Sequence, residues 1–203
     1  MDIKDFAKLI EAKRGELDTL MRRNMPVIAG RMAKDHFQDN FRKGGFVNGG
    51  LHPWPAARRL LSGGSSAADS YGTLLSGRNH LFSSINYYPE AYRVRVACEL
   101  PYASIHNWGG SIKRTDMMRR YSWRRFFRAC GVVEGEDSES RRMKTAKAIV
   151  DSNPEARFWK GMALSKKKSI KMPQRQFLGE SAELNSAIHE RLIKEVTAIL
   201  DYK

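Results

Sequence analysis

A chain of 203 residues, 41% hydrophobic and 29% charged, is sized for a single domain that buries about 70% of its unfolded surface, and it has no run of about 18 apolar residues to span a bilayer. Two cysteines, Cys98 and Cys130, are too few for a disulfide framework, and the start Met1-Asp2-Ile3-Lys4-Asp5 lacks the basic-then-apolar order of a secretory signal, so a cytoplasm is the expected compartment. The formal charge of +14 is concentrated, with 17 Lys and Arg against 7 Asp and Glu between residues 111 and 171, which suits an acidic or nucleic-acid partner as well as it suits a solvated surface.

From Ile3 to Phe41 apolar residues recur at three- and four-residue steps (Phe6, Leu9, Ile10, Leu17, Leu20, Ile28, Met32, Phe37), which predicts a long amphipathic helix or a helix pair capped by Asp2. Pro26 removes a backbone donor, so a kink or break is expected near Asn24 to Pro26. The helix should stop at Gly44-Gly45, and the next stretch to Ser70, with Gly49-Gly50, Pro53, Pro55 and Gly63-Gly64-Ser65-Ser66, reads as turn and linker. Trp54 within it is expected to anchor the loop to the core.

Leu81 to Tyr88 and Ala91 to Leu100 have strand character, with Tyr92, Val94, Val96 and Cys98 on one face and Arg93, Arg95, Ala97 and Glu99 on the other, and Pro89-Glu90 as the turn between them. Tyr102 to Gly110 reads as the turn leaving the second strand, with Gly109 and Gly110 permitting positive φ. Residues 111–169 form a basic, partly helical insertion. Arg141 to Val150 is expected to be helical, Asp151-Ser152-Asn153-Pro154 to end it and cap the next helix, and Glu134 to Ser140 to be an acidic tip. The chain closes with a helix whose Leu184, Ile188, Leu192, Val196 and Leu200 share one stripe. The fold class expected is α+β: a long N-terminal amphipathic helix and a C-terminal helix packed on a small antiparallel sheet. Residues 1–110 and 170–203 would make one domain, interrupted by the insertion.

Chemistry is sparse. The five histidines occur singly, neither cysteine has a partner at metal-ligand spacing, and no nucleophile elbow, P-loop or dinucleotide fingerprint is present. No cofactor, metal or catalytic residue is expected. His106, set among Tyr102, Trp108 and the double glycine, is the most distinctive histidine. In Arg119-Arg120-Tyr121-Ser122-Trp123-Arg124-Arg125-Phe126-Phe127-Arg128 guanidinium groups alternate with rings, which serves base stacking on a nucleic acid and equally a protein interface.

Four segments in a fixed order carry a resemblance: Phe46 to Trp54; Leu75-Ser76-Gly77 through Leu81 to Ser84-Ile85; Tyr102-Ala103-Ser104-Ile105-His106 to Gly109-Gly110; and Pro173-Gln174-Arg175-Gln176-Phe177-Leu178-Gly179. Together they resemble the virion morphogenesis, or tail completion, family of contractile-tailed phages and Mu-like prophages. The resemblance implies a structural, non-catalytic protein of the tail or head-tail junction. Its partners would be tail and connector proteins, its virion form a homo-oligomeric ring, and its place the host cytoplasm during assembly and then the virion. It also implies turn and anchor roles for Trp54, Gly77, Leu81, Tyr102, Ala103, His106, Gly109, Gly110, Pro173, Arg175, Phe177 and Gly179. Residues 111–169 are far longer than the loop found there in the family, so a role for the insertion is not inherited. Binding of nucleic acid through it is the alternative function.

Overall fold

The computed structural model describes residues 2–57, 60, 70–132, 146 and 149–201. The expected acidic tip at Glu134 to Ser140, the Gly63 to Ser66 linker and most of the helix from Arg141 to Val150 lie outside the described residues. Helix α1 spans Ile3–Thr19, its first N–H bound to the Asp2 carboxylate at 2.7 Å, and α2 spans Met25–Lys43. Between them Leu20–Asn24 forms a single π turn, with the Met25 N–H donating to the Leu20 carbonyl. The break expected at Pro26 is thus a widened turn. Proline has no N–H to offer the Arg22 carbonyl four residues back. That carbonyl instead accepts from the Tyr92 N–H at 3.3 Å, and the Tyr92 hydroxyl donates to Asp18. A donor missing from the helix has become the point where a hairpin is fastened.

Gly44 ends α2 with φ +68°. Beyond it a hairpin stands where turn and linker had been expected: β1 (Gly45–Val47) pairs antiparallel with β2 (Leu51–Pro53). Its loop, Asn48-Gly49-Gly50, takes φ values of +65° and +121° at the two glycines, which side-chain-bearing residues rarely adopt.

Strands β3 (Ile85–Glu90) and β4 (Arg93–Cys98) form the main ribbon, with Tyr87 opposite Val96. Two details differ from the sequence-based expectation. Leu81 to Ser83 belong to a short helix, α3 (His80–Ser83), because the Asn79 carbonyl takes both the Ser83 N–H and its hydroxyl and turns the chain before the strand begins. Pro89 and Glu90 lie within β3, and the turn is Ala91-Tyr92, with Tyr92 exposed at φ +61° and not on the inward face. A two-stranded ribbon has an open edge on each side, so the missing proline N–H costs no ladder bond there. Helix α2 crosses this ribbon at Gly30, where a Cβ would lie 2.5 Å from the Tyr87 ring and 2.8 Å from a Val94 methyl.

After helix α4 (Ala103–Trp108), strand β5 (Gly110–Lys113) leads into α5 (Asp116–Ala129) and α6 (Pro154–Leu164); strand β6 (Ser169–Met172) returns antiparallel to β5, and α7 (Ala182–Leu200) ends the fold. The architecture is α+β, with the long N-terminal and C-terminal helices set around small antiparallel ribbons. The main core joins Phe41, Phe46, Trp54, Leu81, Ile85, Phe177 and Leu184, each large side chain worth about 1.5–3 kcal/mol on burial. A second core, Phe126, Cys130, Val132, Ala146, Val150 and Ala156, belongs to the insertion. Both cysteines are free, and no helix among the described residues is long and apolar enough to cross a membrane.

Helix α7 is tied to the first hairpin at its N-terminal end. Ser181 caps it through the Leu184 N–H, Asn48 accepts from the Ala182 N–H at 3.0 Å, and the Glu183 carboxylate accepts from Gly50 at 2.9 Å and Gly49 at 3.1 Å. The Gly50 N–H above all holds the Glu183 carboxyl below its ordinary pKa. A carboxyl depressed by folding adds stability that is present above the unfolded pKa of about 4.3 and lost as pH falls through the lower folded value. The melting-temperature difference between the wild type and Glu183→Gln is therefore expected to be widest near neutral pH and to close in acid, measured by thermal melts across the pH range.

Candidate partner-binding site

The segments singled out in the sequence meet around α4. Asn107, buried on that helix, accepts from the Phe177 N–H at 2.8 Å and the Leu178 N–H at 2.9 Å, and its Nδ2 donates to the Leu178 carbonyl at 3.0 Å. One amide side chain thus pairs with residues 177 and 178 as a neighbouring strand would. One residue earlier, the His106 carbonyl accepts from the Arg175 N–H at 2.8 Å. The buried Arg175 guanidinium donates to the Pro55 and Ala56 carbonyls at 2.8 and 3.2 Å. Trp54 reaches the same strap by donating its indole N–H to the Gln176 carbonyl at 2.7 Å, its ring edge-on to Phe41. Gly109, at φ +71°, leaves no room for a side chain: a Cβ would sit 2.9 Å from the Gln174 nitrogen. Gly110 comes next at φ +135°.

Of the remaining anchor candidates, Leu81, Ala103 and Phe177 are buried in the main core. Gly77 faces the Tyr71 hydroxyl, and Gly179 lies against the end of the Gln176 side chain. Tyr102 is exposed, with its ring edge-on to His106. The stretch Tyr102 to Trp108, expected as a turn, is mostly helical; the positive φ values come only at the glycines that stop it.

These pieces surround a cavity of about 700 Å³. Leu74, Leu75 and Leu81 line it together with Phe158 and Met162 of α6. Tyr102, His106, Lys171, Pro173 and Arg175 also line it. The insertion therefore supplies one wall of a space whose other walls belong to the body. Burial first and the Arg175 charge second push the His106 pKa below its ordinary value. Its Nδ1 is buried and has no hydrogen-bond partner among the described residues.

In the insertion the alternation of arginine and aromatic residues turns out to be helical periodicity. Thr115 caps α5, and Asn153 caps α6 through the Ala156 N–H. Phe126 is fully buried, while Trp123 and Phe127 pack beside it, so these rings build the second core and present little face to a partner. Arg125 is bound to Glu155 at 2.9 Å and stacks over Trp159. Arg119 is exposed on one flank. The outward stripe of α5 consists of Met117, Arg120, Tyr121, Arg124 and Arg128, all exposed. The expected boundaries at 110/111 and 169/170 fall inside the β5–β6 ribbon, with Gly110 opposite Met172 and Lys113 opposite Ser169.

No family model, curated protein or solved structure matches this chain. Its function has to be read from its surfaces. Among the described residues no group of three His, Cys, Asp or Glu side chains is placed to hold a metal ion. Sequence reasoning missed Asn107 and Glu183, because the backbone groups that each one pairs with lie 70 or more positions away. It also missed the first hairpin, for which the Asn48-Gly49 dipeptide was the available signal.

One surface stands apart. Helix α1 has no buried residue along its 17 positions, and its stripe of Ile3, Phe6 and Ile10 is 85%, 55% and 52% exposed. Ile193 and Leu200 of α7 are also exposed. A helix of this length gains most of its stability by burying an apolar face. In a chain of charge +14, α1 carries four basic and four acidic residues and α7 two and three.

Proposed function

We propose that the protein is a structural, non-enzymatic component of a phage or prophage virion, which completes the tail or joins it to the head, and that it works there as a homo-oligomeric ring. The observation that carries this reading is the uncovered apolar stripe of α1. Contiguous exposed apolar surface of this kind marks a protein-binding face, and the near-neutral α1 and α7 are where a second copy of a strongly basic chain approaches with least repulsion. The resemblance of the interlocked segments around Asn107 to the tail-completion family supplies the biological setting. Two measurements test the reading separately. In sedimentation velocity the wild type is expected to self-associate with rising concentration while Phe6→Glu/Ile10→Glu stays monomeric with unchanged far-ultraviolet dichroism; monomer for both removes the α1 interface. In electron microscopy of particles assembled without the protein, full heads beside unfinished or over-long tails are expected; normal infectious virions refute the tail role.

A second reading is favoured by the stripe on α5. Arg120, Arg124 and Arg128 lie one helical turn apart beside the exposed Tyr121, the spacing of a helix that lies on phosphates and stacks a base. If this stripe binds nucleic acid, affinity for duplex DNA falls with a log–log salt slope of about −3, and Arg120→Ala reduces the slope by about 1. A ring held by apolar contacts is far less sensitive to salt.

A further inference from the structure

The α1 stripe can serve as a docking face only if α1 stands in one direction, and packing along α1 does little to impose one. None of its 17 residues is buried, even where it touches α7. A helix of that length is about 25 Å long, so a tilt of about 15° at its C-terminal end moves Ile3 by about 6 Å. The joint at that end is the π turn Leu20–Asn24, a geometry frequent at functional positions in helices. Tyr92, at the tip of the β3–β4 hairpin, reaches this joint at two points. Its N–H donates to the Arg22 carbonyl at 3.3 Å, inside the π turn, and its hydroxyl donates to the Asp18 carboxylate, in the last turn of α1. We propose that Tyr92 is a positioning residue for the α1 docking face: it fixes the direction in which α1 leaves the π turn, and with it the place of Ile3, Phe6 and Ile10. This role rests on α1 being the surface where copies meet.

The backbone of Tyr92 supports that role. Its φ of +61° is a left-handed turn position that ordinarily goes to glycine or asparagine, and it strains a residue with a large side chain. Burial does not offset the strain, because Tyr92 is 59% exposed. What tyrosine gains in this place is the pair of hydrogen bonds. A glycine there would relieve the backbone and keep the N–H bond to Arg22, but it has no hydroxyl for Asp18. The first bond also meets a need of the joint, since Pro26 leaves the Arg22 carbonyl without its helical donor. The second is the one that carries the constraint from the π turn into α1 itself.

The test uses the full chain with Tyr92→Phe, which keeps the ring and the N–H bond and loses only the hydroxyl bond to Asp18. Spin labels at Lys8→Cys on α1 and Asp35→Cys on α2, both exposed positions, in a chain carrying Cys98→Ala and Cys130→Ala, report the direction of α1 in the dilute monomer. The phenylalanine variant is expected to broaden that distance distribution and to raise the concentration of half-association in sedimentation velocity by about two- to tenfold, the worth of one net hydrogen bond. Tyr92→Gly, which relieves the backbone, should do the same without lowering the melting temperature. Asp18→Asn keeps an acceptor and should match the wild type in both measurements. An unchanged distribution in Tyr92→Phe, or a broadened one with unchanged association, overturns the proposal. A wild type that never associates, beside a Tyr92→Phe variant with a broadened distribution, removes the docking face and with it the role proposed for Tyr92, while the joint itself stands.

Discussion

Phe177→Ala is expected to cost about 3–5 kcal/mol, the usual effect of emptying a fully buried phenylalanine site. Phe177 has no exposed surface, packs on Phe41 and sits at the centre of the main core. Against a total stability of about 5–15 kcal/mol the loss should appear as a large drop in the urea midpoint of the whole protein. Phe126→Ala removes an equally buried ring, but from the second core. Its effect is expected to be local: amide exchange should accelerate along α5 and α6 while α2 and the β3–β4 ribbon keep their protection. Uniform acceleration across both regions would mean that the two cores fold as one cooperative unit.

The second large effect belongs to a polar residue. Asn107→Leu keeps the volume of the side chain but strands the Phe177 and Leu178 N–H groups and the Leu178 carbonyl. Leaving such groups buried and unpaired costs about 1–3 kcal/mol each, so a loss of about 3 kcal/mol or more is expected in chemical denaturation. Asn107→Asp keeps the acceptor for both N–H groups and puts a carboxylate oxygen against the Leu178 carbonyl. It should be less damaging than leucine, and it should recover stability as acid protonates the new carboxyl and restores a donor. If Asn107→Leu is as stable as the wild type, the strap at 177–178 is held by packing alone.

Where the fold was legible in the sequence, the reason was local. The three- and four-residue spacing of Phe6, Ile10, Phe37 and Phe41 is enough to place helices, and the alternation from Arg93 to Cys98 enough to place a strand. Gly44, at φ +68°, stops α2 where a glycine after a helical run should. Arg119 to Arg128 shows the limit of such reading. Alternating charged and aromatic letters look like a binding surface until the helical period assigns Trp123, Phe126 and Phe127 to the inside and Tyr121 with Arg120, Arg124 and Arg128 to the outside. Pro89 misled in the opposite way, since a proline that usually marks a turn is harmless in a ribbon without a third strand. The candidate site was legible only as separate fragments. That Ala56, Leu75, His106, Phe158 and Arg175 line one cavity depends on long-range pairing that no local pattern encodes.

The β5–β6 ribbon has a consequence for how such a chain can change over generations. Because Lys113 faces Ser169 across a pair of neighbouring strands, the ends of everything between them are only about 5 Å apart, close enough for a two-residue turn to join them. Replacing the basic helical unit by a tight loop is therefore expected to leave the main core folded, which a thermal melt of the trimmed chain would check. Trimming would strip away the Phe158 and Met162 wall of the cavity while leaving the residues of the main core in place. Selection can in this way reshape one wall of the cavity without rebuilding the scaffold that carries it.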